Sequence, residues 1–143
     1  MMAVGLSAAD TFYLGTWKID SAVVAPWADP AHKDDATEMK SLVGKMVVFK
    51  PTEIVGPRQV ACKGPHYKVK DYPPDELYQG AFGEMHLRDP KVDPVKVAEK
   101  LGFHGKTSKA VETGCATELD FHFIDPATTT FGLNNYVYIL KKQ

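Results

Sequence analysis

The sequence predicts a mostly β protein built on antiparallel sheet with one or two short helices. Apolar residues recur at period 2 in short runs, as in Lys45-Met46-Val47-Val48-Phe49-Lys50 and Leu119-Asp120-Phe121-His122-Phe123. Proline and glycine, at 10 and 11 residues, punctuate these runs as turn signals. Asp29-Pro30 and Asp93-Pro94 each offer an N-cap followed by a proline suited to the first helical position, and a helix is expected after each.

The elements follow in order. A first strand spans Tyr13 to Val24 and ends at Ala25-Pro26-Trp27-Ala28. A helix then runs from Asp29-Pro30 through His32, Asp35, Met39 and Leu42 to Gly44, where a glycine accepts the left-handed conformation of a helix end. Lys45 to Lys50 is a strand, Pro51 to Pro57 a short one, and Arg58 to Lys63 another, joined by the Gly64-Pro65 turn to a strand over His66 to Lys70. Tyr72-Pro73-Pro74-Asp75 is a turn cluster, Glu76 to Gln79 at most a helical turn, and Gly80 to Leu87 a strand carrying Phe82 and His86. Val95, Val97, Ala98 and Leu101 with Gly102 behind them make the second helix. Lys109 to Ile124 forms one long strand, with or without a bulge at Gly114, and a last strand over Asn135 to Lys142 follows the Asp125-Pro126-Ala127-Thr128 turn.

The chain is one domain's worth, with residues 12–143 as a single domain and 44% hydrophobic content to fill a core. Its 17 basic and 18 acidic residues leave a formal charge of -1, so no overall field draws it to nucleic acid. No apolar run approaches the roughly 20 residues of a membrane-spanning helix. Residues 1–11 are either a flexible N-terminus or a signal-peptide remnant: Ser7 and Ala9 stand where a cleavage site needs small residues, yet a basic leader and a longer apolar stretch are missing.

Leu14-Gly15-Thr16-Trp17-Lys18-Ile19, with its Gly-X-Trp on an apolar first strand, resembles the opening of the calycin superfamily, the lipocalins and fatty-acid-binding proteins. The resemblance implies a calycin-like antiparallel β-barrel of about eight strands. Gly15 would let the backbone bend at the closed end, and Trp17 would plug that end. It also implies a basic residue packed late in the barrel across the tryptophan, a place open to Lys141 or Lys142. The Arg-x-Tyr pair with which many fatty-acid-binding proteins hold a carboxylate is absent. The chain is also similar to small secreted bacterial proteins that combine an early Ala-Pro-Trp, two cysteines and a closing aromatic strand, which implies export and a barrel.

Cys62 shares a strand face with Val60, and Cys115, where the long strand runs through without a bulge, shares one with Val111, Thr113, Leu119, Phe121 and Phe123. Both then point inward, either as a Cys62–Cys115 disulfide in a periplasmic or secreted protein or as two buried thiols behaving as small hydrophobes. The spacing gives no zinc site.

Glu118, Asp120 and His122 alternate along one strand face, the pattern of either a solvent face or an acid/base group. No nucleophile elbow, phosphate loop or dinucleotide motif occurs, so no catalytic residue, metal or cofactor is assigned. Trp27, Tyr67, Tyr78, Phe82 and Phe103 gather around the expected loops at a barrel mouth and are the candidate ligand-binding residues. The expected function is non-catalytic binding of a small, largely apolar ligand in or at the mouth of the barrel. Two alternatives stand beside it: a periplasmic module binding a protein partner, such as an inhibitor of a cell-wall hydrolase, and a cofactor-independent enzyme using Asp120 and His122.

Overall fold

A long first strand, β1 (Gly15–Val24), lies in the interior of one antiparallel sheet in the computed structural model, which describes residues 11–31 and 35–143. The other strands are β2 (Met46–Lys50), β3 (Glu53–Val55), β4 (Cys62–Lys63), β5 (Lys68–Tyr72), β6 (Ser108–Glu112), β7 (Asp120–Asp125), β8 (Thr128–Leu133) and β9 (Tyr136–Lys142). Their order is β4-β3-β2-β1-β9-β8-β7-β6-β5, and the sheet curls into a half-barrel. Every neighbouring pair is consecutive in sequence except β1 and β9, which align Trp17 with Lys142 and Val24 with Tyr136.

The concave face is filled by side chains. Trp17, Ile19, Phe49, Phe121, Phe131, Tyr138 and Leu140 are all buried there in one cluster. Phe49 meets Phe121 edge to face at 4.8 Å between centroids, and Phe131 stacks on Tyr138 at 4.9 Å. Trp17 is fully buried; its Nε1 donates to the Tyr13 carbonyl at 2.9 Å. Gly15, at φ +125°, starts the strand in a conformation that favours glycine. Lys142 rather than Lys141 crosses the indole, its Nζ 5.6 Å from the ring centroid, while Lys141 reaches Thr128.

The two ends of the sheet, β4 and β5, are not paired with each other, and the chain closes this seam by other means. A disulfide joins Cys62 of β4 to Cys115 in the loop after β6, with the Cα atoms 6.0 Å apart. The Tyr67 hydroxyl donates to the Lys50 carbonyl across the seam at 2.8 Å, and the His66 N–H extends the β5–β6 ladder by donating to the Thr113 carbonyl at the same distance.

Three helices complete the fold among the described residues: α1 (Thr37–Leu42), α2 (Leu77–Arg88), which follows a 3-10 turn at Pro74–Glu76, and α3 (Pro94–Lys100). The Asp93 carboxylate caps α3 by accepting from the Val95 N–H at 3.0 Å, as its Asp-Pro start predicts. Helices α2 and α3 lie on the convex face, where Leu77, Phe82, Ala98 and Phe103 form a second cluster with Val137 of β9.

Several expectations are corrected. Among the described residues the sheet has nine strands, against the eight or so expected of a barrel, and it curls into a half-barrel. Gly80 to Leu87 belongs to α2, not to a strand. Arg58 to Val60 is a turn that leaves only Cys62 and Lys63 in β4. Lys109 to Ile124 is a hairpin, not one strand: residues 113–119 form a loop, and β6 and β7 then pair Val111 with Phe121. Strand β8 was not foreseen. In the first expected helix, only Thr37–Leu42 is helical among the described residues, and His32 lies outside them, as do residues 1–10.

Candidate functional site

The backbone of Tyr78, Gln79 and Gly80 is left-handed at φ 52°, 60° and 81°, a conformation unfavourable for the first two. Surrounding contacts hold it. The Tyr78 N–H donates to Nε2 of His122 at 3.3 Å, and the Gln79 amide donates to the Glu118 carbonyl at 3.1 Å. Glu118 is itself left-handed at φ 58°, in the β6–β7 loop. Two strained segments therefore face each other, the kind of backbone that clusters where a site is built.

Between them opens a cavity of about 370 Å³ on the convex side of β7 and β8. Trp27 and Tyr78, 5.3 Å apart between ring centroids, border it together with Gly132, Asp120 and His122; Glu84, Met85 and Arg88 come from α2. The indole Nε1 is fixed by donating to the Asn134 carbonyl at 2.9 Å. Gly132 has no side chain because a Cβ there would lie 2.7 Å from the indole Cη2.

His122 is fully buried, with its ring edge to face against Tyr72 at 5.1 Å and Tyr78 at 4.9 Å. Burial drives its pKa down to about 4 against an opposing pull from Glu112, so the ring is neutral at ordinary pH. Because Nε2 accepts the Tyr78 N–H, the proton sits on Nδ1, a buried donor with no partner among the described residues. The carbonyl of His122 accepts from the Thr130 hydroxyl at 2.9 Å; the Thr130 oxygen lies 2.6 Å from that of Tyr78 and so receives the Tyr78 proton. Polar residues on the outer face of β7 and β8 are thus buried and largely satisfied, not solvated.

Asp120 pairs across the ladder with Glu112 and is half-buried; burial first, then the Glu112 charge, raises its carboxyl above the ordinary range. Glu112 goes the other way, lowered mainly by a hydrogen bond from the Tyr72 hydroxyl and further by Lys70 at 3.1 Å.

Of the aromatics singled out in the sequence, Trp27 and Tyr78 line the cavity. Phe82 and Phe103 back Tyr78 at 5.6 Å and 6.2 Å within the second cluster. Tyr67 lies on the opposite, concave side with Tyr13 and Phe49. Asp120 and His122 both reach the cavity, while Gln79, Met85 and Gly132 carry no sequence signal of a site. A wider depression of about 620 Å³ between α2 and α3 is lined by no buried residue. In comparisons with known proteins, the chain matches no protein-family model, no curated protein and no solved structure.

Proposed function

We propose that this is a calycin-like, non-catalytic binding protein that holds one small molecule in the cavity between α2 and strands β7 and β8. The Lys142 ammonium across Trp17 supports the calycin-like reading. The observation that carries the binding reading is the cavity itself: its volume of about 370 Å³ lies in the range of small-molecule sites, and Trp27 and Tyr78 offer apolar surface beside the polar groups of β7. The concave face, packed with Trp17, Phe49, Phe121 and Phe131, supports a ligand on the outside of the sheet rather than within it. The disulfide supports a periplasmic or secreted location, where such bonds persist.

Titration with a panel of apolar and amphipathic dyes tests the reading, comparing wild type with Trp27→Ala and Tyr67→Ala. Binding lost in Trp27→Ala and kept in Tyr67→Ala is the expected result. Equal binding by both variants and wild type overturns it.

A further inference from the structure

We propose that the cavity takes a small organic cation, its ammonium group against the Asp120 carboxylate and its body against the rings of Trp27 and Tyr78. This rests on the reading of the cavity as a small-molecule site and specifies what enters it.

Charge is the first ground. Glu84, Glu118 and Asp120 reach the cavity, and the positive side chain among its lining residues is Arg88. Arg88 is 83% exposed and lies 3.9 Å from Glu84, which places it at the rim and offsets it there. The buried groups have another balance. His122 is neutral, so it adds no positive charge.

Asp120 is the second ground. Lys70 of β5 lies against Glu112 at 3.1 Å; its charge and a hydrogen bond from the Thr113 backbone both favour the Asp120 carboxylate, but burial and the neighbouring Glu112 outweigh them. An ammonium group would supply a further counter-charge in a setting drier than bulk water. The third ground is the pair of aromatic rings, whose electron-rich faces attract cations and not anions. Carboxylate and aromatic pair at one cavity select for charge sign and for an apolar body together.

The experiment compares three probes of one shape, benzylamine, benzyl alcohol and benzoate, by calorimetry at neutral pH on wild type and Asp120→Asn. Benzylamine is expected to bind at least tenfold more tightly than benzyl alcohol, with benzoate weakest, and Asp120→Asn is expected to remove the advantage of the amine while leaving the alcohol unchanged. Glu118→Gln, at an exposed loop position, serves as a second variant if Asp120→Asn fails to fold, and is expected to weaken only the amine. Benzyl alcohol or benzoate binding as tightly as the amine overturns the cation proposal while leaving the cavity as a site. No binding by any probe also overturns it, and the Trp27→Ala comparison then judges the site separately.

Discussion

The Lys142 ammonium lies 5.6 Å from the centre of the Trp17 ring and donates to the Phe12 carbonyl at 2.6 Å. The last strand thereby clamps the segment leading into the first, over a tryptophan whose own N–H is spent on Tyr13. Trp17→Ala removes a fully buried indole and is expected to cost about 3–5 kcal/mol through lost transfer energy and the cavity left behind. Denaturant unfolding checks it; a midpoint equal to wild type would contradict the structural role.

The Cys62–Cys115 bridge closes a loop with a sequence separation of 53. In the chain-entropy account such a bridge contributes about 4 kcal/mol by restricting the unfolded chain. Protein unfolded without reductant should show no reactive thiol. Reduction, or the double substitution of both cysteines by serine, should lower the melting temperature.

His122 makes stability depend on acidity. Its folded pKa of about 4 lies below the unfolded value of about 6.5, so between these values the unfolded chain binds more protons and stability falls as pH falls. The loss amounts to about 3 kcal/mol by pH 4 and is absent above about pH 7. Glu112, also held low, adds a loss at more acidic pH, through the usual carboxylate range and below, and Asp120, held high, opposes it. Unfolding measured from pH 7 to pH 4 should show a slope that His122→Gln flattens.

Gly132→Ala places a methyl group 2.7 Å from the Trp27 indole, which must swing away. The expected outcome is a shifted tryptophan emission and weakened ligand binding, with a smaller effect on stability than Trp17→Ala has. Unchanged emission and binding would mean that Trp27 does not border the working site.

The sequence pattern made β1, β2, β3, β5 and α3 legible, because period 2 and the Asp-Pro start report directly on local geometry; the two cysteines do pair, but Cys115 does so from a loop and not from the strand face on which its direction was read. The pattern misled where burial is two-sided. Val111, Thr113, Cys115, Leu119, Phe121 and Phe123 keep one phase, yet the chain reverses between them through left-handed Gly114 and Glu118, and glutamate gives no warning of such a turn. His122 and Thr130 have the polarity of a solvent face but are buried and bonded to one another and to Tyr78. Trp27 and Tyr78 stood out as aromatics near loops; nothing in their spacing revealed the left-handed turn at Tyr78 that brings them to one cavity.

The unpaired seam between β4 and β5 bears on how the chain finds its fold. With β1 beside β9, one pairing must span nearly the whole sequence before it is rewarded, and such distant pairings slow folding. A circular permutant that links β9 to β1 and is cut at Gly64-Pro65 would turn the same sheet into an unbroken meander, β5 through β9 followed by β1 through β4. Each strand would then meet its partner as its immediate successor. The most distant strand pairing of the sheet is that of β1 with β9, which aligns Trp17 with Lys142, so the step that joins these two strands is where the search through conformations is longest.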